Sequence, residues 1–389
     1  MKDRLRIAVV TPVYPNNAEP YRGIFNYRRA RALAAYADVE VFCPMSAYPR
    51  LLRPRVRAYS EVDTAFTTPG MTAHYISYPA IPWITRPING WSCARQLLPA
   101  LRAFRPDVVL AYWVFPEGRG AVLAGEKLGV PVVVKTLGSD LRVIPDPITA
   151  WLTRSTLRRA DYVLAVSEDL RQLAVTMGAS PERTRTIHNG CDASLFHVAD
   201  RSTARAELGV ESDAQLILFV GRLAEVKGIG ELIEAARRLA PAHPKLRVVC
   251  IGEGVLEKDL RAKISDPALV NFVGRKEPEQ VARWLAASDL LCLPSYSEGC
   301  PNVLLEALFC GRPVVASNVG GVPELVDSGC AILVPARDPA KLADALAEAL
   351  GRTWDPVAIA AHYGRSWDDV GRETFEACQT ALRQCPAGR

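Results

Sequence analysis

The sequence predicts an α/β protein built as two Rossmann-like domains, each a doubly wound parallel sheet, facing a cleft. Three observations point there. Short β-branched runs recur, each followed by a turn-rich loop and a stretch of helical periodicity. The series restarts after a polar segment that begins near Ala193. The chain, at 389 residues, is long enough for two ordinary domains.

Leu5 to Thr11 (LRIAVVT) reads as a buried strand. The loop Pro12 to Arg22 leads through Gly23 into a helix, Phe25 to Ala35. Strand, glycine-bearing loop and helix are the usual start of a doubly wound domain. Val39 to Cys43 is the second strand. An irregular region follows, with Arg50, Arg53, Arg55 and Arg57 and later Trp83, Ile84 and Trp91. Basic residues interleaved with aromatics can rest on an anionic membrane face, and can equally be solvated charges beside half-buried rings. Asp107 to Ala111 and Pro131 to Thr136 are strands. Their tips, Tyr112 to Gly118 and Leu137 to Asp140, fall at the carboxyl edge of the sheet, where such folds bind ligands. Asp161 to Val166 is a further strand, and Ser167 suits the N-cap of the helix behind it. Asn189-Gly190 is a turn. Ala193 to Gln215, polar and helical, reads as the linker, giving domains of residues 1–192 and 193–355.

Leu216 to Val220 opens the second unit, with Gly221, Arg222 and Lys227 at its tip. Leu246 to Gly252, Val270 to Gly274, Asp289 to Pro294 and Pro313 to Ser317 continue the strand series. Asp338 to Gly351 and Trp367 to Leu382 are the last two helices.

Composition narrows the functional classes. A net charge of +5 is too small to imply nucleic acid. No stretch is long and apolar enough to span a bilayer, and Ile7 to Val10 is a strand-like run rather than the core of a leader. The ten cysteines contain no C-x-x-C pair. Cys43, Cys250 and Cys292 sit inside apolar runs and read as buried free thiols of a reducing, cytoplasmic protein.

The chemistry gathers in Ser295-Tyr296-Ser297-Glu298-Gly299-Cys300-Pro301-Asn302-Val303-Leu304-Leu305-Glu306-Ala307. Pro301 suits the first helical position and Gly311 the residue past the helix end. The amides of Asn302, Val303 and Leu304 then form a helix start able to hold a phosphate. Glu306 lies four residues beyond Asn302, on the same helix side. A carboxylate accepts two hydrogen bonds at once and suits a vicinal diol. Glu298 and Glu306, flanking a phosphate-holding helix start, fit a sugar nucleotide; as isolated residues they read equally as a solvated loop acid and a surface helix residue. Arg222 and Lys227 supply the two fixed cations a diphosphate needs.

This stretch resembles the signature of the retaining family-4 glycosyltransferases with the GT-B fold, and Val220-Gly221-Arg222-Leu223-x3-Lys227-Gly228 resembles their basic donor-site motif. The likeness extends to transferases of bacterial cell-surface polysaccharides, including teichuronic-acid-type enzymes. It implies a hexosyl transfer from a UDP or GDP sugar to a hydroxyl of a glycan or lipid-linked acceptor, with retention. It implies that the last helix, from about residue 356 to 389, crosses back onto the first domain. Gly23 and Asp140 match donor-side positions, and backbone around Arg275 would wall the nucleobase. Tyr112 stands where the family carries a sugar-contacting histidine, and Leu137 stands at a second histidine position. Tyr112 is then expected to reach the donor sugar through its hydroxyl. No metal or other cofactor is expected, because fixed cations serve the leaving diphosphate. The expected partners are the nucleotide sugar, the acceptor and, peripherally, the inner face of a membrane. Two other readings share the scaffold: a sugar-nucleotide epimerase, and a catalytically silent sugar-nucleotide-binding subunit.

Overall fold

A computed structural model describes residues 4–48, 63, 66–81, 84–264 and 266–385. The arginines at 50, 53, 55 and 57 and Trp83 lie outside them.

One compact unit comprises Met1–His188 and Trp367–Arg389. Its strands are β1 (Arg6–Val10), β2 (Asp38–Ala47), β3 (Thr72–Pro79), β4 (Val108–Tyr112), β5 (Val132–Thr136), β6 (Tyr162–Ala165) and β7 (Thr184–Thr186). They form a parallel sheet in the order β3-β2-β1-β4-β5-β6-β7. Parallel strands are covered on both faces and need unbroken apolar runs. β4 and β5 are buried along their whole length. β3 is an edge strand whose residues are mostly half-covered or exposed. Its mixed pattern, TAHYISYP, lacks the apolar run that marks the inner strands, and this stretch belongs to the region expected to be irregular. Helix Trp367–Gln384 packs against helix Ile24–Leu33 and on β4, β5 and β6. It buries Val370, Ala377, Cys378 and Ala381 with Ile7, Leu110 and Val133.

The other unit is Asn189–Ser366. β8 (Gln215–Val220), β9 (Leu246–Ile251), β10 (Val270–Gly274), β11 (Leu290–Leu293), β12 (Val314–Ser317) and β13 (Ala331–Val334) make a second parallel sheet. The order is β10-β9-β8-β11-β12-β13. Helices Ile229–Leu239 and Pro339–Gly351 pack together over Ile217, Phe219, Cys250 and Cys292. In each sheet the strand order reverses beside the first strand, at β1/β4 and at β8/β11. Ligands of doubly wound sheets bind beyond the carboxyl ends of the strands at such a reversal.

The contact-defined boundaries fall at other residues than the sequence suggests, for two reasons. The segment read as a linker holds only a short helix, Arg201–Leu208, and it packs on helix Pro278–Ala287 of the second unit. Helix Pro356–His362 also belongs to that unit, burying Ile359. The cysteines are all free thiols, buried except for Cys385.

Asp289 fixes the start of β11. Its Oδ2 accepts from the Leu216 amide at 2.7 Å and from Arg205 Nη2 at 2.8 Å. Arg205 is only 4% exposed. Removing the carboxylate leaves a buried guanidinium short of its counter-charge. Asp289→Ala should cost about 2–3 kcal/mol and lower the melting temperature by roughly 5–10 °C. Calorimetric melting of the variant against wild type checks this.

Candidate active site

The two loops at the β8/β11 reversal are locked together by backbone contacts. The Tyr296 amide donates to the Val226 carbonyl at 2.8 Å. Gly228 has φ +64°, and a Cβ there would stand 1.9 Å from the Pro294 carbonyl oxygen. Only glycine permits that approach. Gly221 hands its amide to Ile251 at 2.9 Å, and Leu223 hands its own to Glu253 at 3.0 Å, so the β9 tip joins the same edge.

On this frame Glu298 and Lys227 meet. Glu298 is 9% exposed, and its Oε1 accepts from Lys227 Nζ at 2.6 Å and from Ser295 Oγ at 2.7 Å. The sequence placed these two residues in one site. It did not show that Glu298 aims the lysine, or that Ser295 aims Glu298. Arg222 is exposed one residue beyond Gly221. Behind the loop, the Tyr296 hydroxyl donates to Glu231, and the Arg337 guanidinium lies 4.5 Å from the centre of its ring. Burial, then the bond to the Glu231 carboxylate, pushes the Tyr296 phenol up to about 12. It stays a hydrogen-bond donor at neutral pH.

The helix after the loop is Asn302–Phe309, with Pro301 at the N-cap rather than inside the first turn. Pro301 has φ −71° and ψ 116°, an extended conformation that the helix does not share, and it offers no side-chain acceptor to the first amides. Asn189 anchors this start. Its Nδ2 donates to the Cys300 carbonyl at 2.9 Å and to Asn302 Oδ1 at 2.8 Å. Tyr363 Oη donates to the Asn189 carbonyl at 2.8 Å. The sequence marked Asn189 as a turn residue within an N-G-x-D segment and not as this anchor, because its partners lie more than a hundred positions away. Val303 and Leu304 can serve a polar ligand only through their amides, since both side chains are apolar and that of Leu304 is fully buried. Glu306 is half-buried one turn on, and Gly311 (φ +69°) ends the helix as expected. Arg275 is exposed at the end of β10.

The first unit corrects one expectation and explains two others. Tyr112 is 1% exposed, inside the core with Tyr14, Val133 and Cys378, and the Arg29 guanidinium lies 5.8 Å from its ring centre. Burial raises its phenol pKa, with Arg29 opposing. It faces the same side as Val108 and Leu110, the side that helix Trp367–Gln384 covers, so it is packing rather than a sugar contact. Gly23 sits at φ +64° with the Val13 carbonyl 2.3 Å from where a Cβ would be, which makes it a required close approach. Asp140 is an organiser of its loop. Its Oδ1 accepts from the Leu137 amide at 3.1 Å, the Gly138 amide at 2.8 Å and Thr136 Oγ1 at 3.0 Å. Burial raises its pKa, and these bonds oppose the rise.

Glu117, at the β4 tip, is a buried carboxyl that the sequence did not single out. It is 6% exposed, and Tyr78 Oη donates to its Oε1 at 3.1 Å. Burial pushes it up to about 7, with its hydrogen bonds opposing.

Family models match along most of the chain. One described as glycosyl transferases group 1 matches residues 214–352, and one described as a glycosyl transferase 4-like domain matches residues 25–190. A Bacillus subtilis (strain 168) protein, provisionally named a teichuronic acid biosynthesis glycosyltransferase, is 31% identical over 369 residues. That match covers 90% of this chain and 91% of the relative. A D-inositol 3-phosphate glycosyltransferase of a Nocardioides species is 34% identical over 287 residues, which is 65% of this chain and 62% of the relative. Among solved structures, Anabaena HepE in complex with UDP has a TM-score of 0.74 at 19% identity, covering 97% of this chain and 100% of its own. The apo form of the lipopolysaccharide outer core galactosyltransferase WaaB has a TM-score of 0.71 at 17% identity, covering 97% and 99%. At such identities the likeness speaks for the fold. With these neighbours, the two parallel sheets are those of the GT-B fold.

Tyr112→Phe should leave donor preference and pH profile unchanged, measured by transfer from a panel of sugar nucleotides. A changed preference would put the phenol back in the site. Glu117 keeps its proton when folded at pH values where the unfolded chain has lost it. Its stabilising contribution is full below about 4.5 and is lost as pH rises through about 7. Between those values the loss is on the order of 3 kcal/mol. Melting curves across this window should show the decline in wild type and a flatter profile in Glu117→Gln.

Proposed function

The chain belongs to the family-4-like, group 1 glycosyltransferases, and from that premise we propose that it moves a hexosyl group from a UDP or GDP sugar to a hydroxyl of a glycan or lipid-linked acceptor. The observation that carries this reading is the Lys227–Glu298–Ser295 cluster at the β8/β11 reversal, beside the start of helix Asn302–Phe309. A cation held in place before the donor arrives needs no reorganisation as charge grows on the leaving diphosphate. Arg222 and Lys227 take that charge, with the amides of Asn302, Val303 and Leu304 sharing it. Glu306 accepts from the ribose hydroxyls. Glu298 serves twice, orienting Lys227 and presenting its carboxylate edge to the hexose. The anomeric carbon passes through an oxocarbenium-like state, and retention is carried over from the family. UDP in the HepE complex supports a nucleotide donor. The teichuronic acid relative supports a role in cell-envelope polysaccharide synthesis.

A lipid-linked acceptor fits a second observation. Ile88, Trp91, Ile148 and Trp151 are each more than half exposed on the first unit. They lie on neighbouring segments tied by Arg86 Nε to Thr149 Oγ1 at 3.0 Å, and Arg95 stands over Trp91. Exposed indoles beside arginines suit the interface of an anionic bilayer. No helix of the described residues is long and apolar enough to cross one. The association proposed on this patch is peripheral, at the inner face of the membrane.

The test pairs binding with turnover. Glu306→Ala should weaken UDP or GDP binding by about 1–3 kcal/mol in titration calorimetry, because ribose hydroxyls lose their acceptor. Arg222→Ala and Lys227→Ala should each lower turnover at saturating donor by roughly a hundredfold. Near-normal turnover in both would move the phosphate clamp elsewhere.

A further inference from the structure

Asp327, Cys330 and His362 come together on the second unit, on segments other than the loops that carry Lys227 and Glu298. Their ligand atoms all lie within 4.8 Å of one another. Asp327 and Cys330 belong to the turn before β13, and His362 ends helix Pro356–His362. We propose that these three side chains form a site for a zinc-class divalent ion that clasps the helix to the turn.

The donor set is one carboxylate oxygen, one sulfur and one imidazole nitrogen, which is the mixture that borderline-soft ions such as Zn²⁺ select. The geometry is close to what such an ion needs. Tetrahedral ligands at zinc bond lengths stand about 3.3–3.8 Å apart. His362 Nδ1 is already 3.6 Å from Asp327 Oδ2. Cys330 is the fixed corner: it is 1% exposed, and its Sγ is held by the Asp327 amide at 3.4 Å. Asp327 is half-tethered, since its Oδ1 accepts from the Gly329 amide at 2.8 Å while Oδ2 faces the histidine. That backbone bond orients the ligating carboxylate in the manner of an outer-shell partner. Asp327 and His362 are exposed and can close the remaining ångström by side-chain rotation, and a water completes the fourth position. On binding, the Cys330 thiol gives its proton to solvent and ligates as thiolate.

The clasp would act on a specific neighbour. Tyr363, next to His362, holds the Asn189 carbonyl, and Asn189 holds Cys300 and Asn302. An ion at His362 therefore steadies the segment that anchors the helix start.

Cobalt(II) titration of the full chain tests this, because Co²⁺ occupies zinc sites and its thiolate charge-transfer absorption reports sulfur ligation directly. One equivalent should bind with that band, and Zn²⁺ should displace it. Cys330→Ser should abolish the band. His362→Ala, a surface change with unaltered circular dichroism, should raise the dissociation constant at least tenfold. Absence of the band at one equivalent, its survival in Cys330→Ser, or unchanged affinity in His362→Ala would overturn the site.

Discussion

The ion pair between Lys227 Nζ and Glu298 Oε1, at 2.6 Å, is the contact on which the rest of the second unit converges. It joins residues seventy-one positions apart. It forms because two parallel strands, β8 and β11, are neighbours in the sheet although two other strands, β9 and β10, and their helices separate them in the chain. Breaking such a pair by removing one partner is costlier than never building it, since the other charge stays where water cannot reach it fully. That asymmetry explains the supporting structure. Ser295 steadies the carboxylate, Gly228 lets the two loops touch, and Tyr296 ties one backbone to the other.

A second layer of support lies behind the helix start. Asn189 bonds both Cys300 and Asn302 and is itself held by Tyr363. Buried polar groups are tolerated when each finds its partners, and a satisfied network rigidifies what it surrounds. The start of helix Asn302–Phe309, which the proposed function gives to a diphosphate, is thus placed by side chains that lie behind it. The same economy appears in the first unit, where Asp140 organises the β5 tip through three bonds to one oxygen.

The fold was legible because parallel strands must be apolar along their length, and runs such as DVVLA and LILFV carry that requirement openly. β3 was not, since an edge strand keeps a mixed surface. The nearness of the candidate residues was legible in part as spacing: Glu298 and Glu306 lie within one local segment, and Lys227 follows Gly221 at a strand tip. What stayed hidden was every relation set by tertiary folding. Glu298 contacts Lys227, Asn189 contacts Asn302, and Asp327 meets His362 only after the sheet is assembled. Tyr112 shows the opposite failure. Its place at a strand tip pointed to the ligand edge, yet alternation along β4 turns it to the covered face with Val108 and Leu110. Pro301 slipped by one position for a local reason, because its extended ψ belongs to a cap.

A crystal structure of the chain with UDP tests the central claim most directly. The diphosphate should lie against Lys227 and Arg222 and the amides of Asn302, Val303 and Leu304, with the ribose on Glu306 and the Lys227–Glu298 pair intact. A nucleotide bound in any other place, with Lys227 still turned only to Glu298, would contradict it.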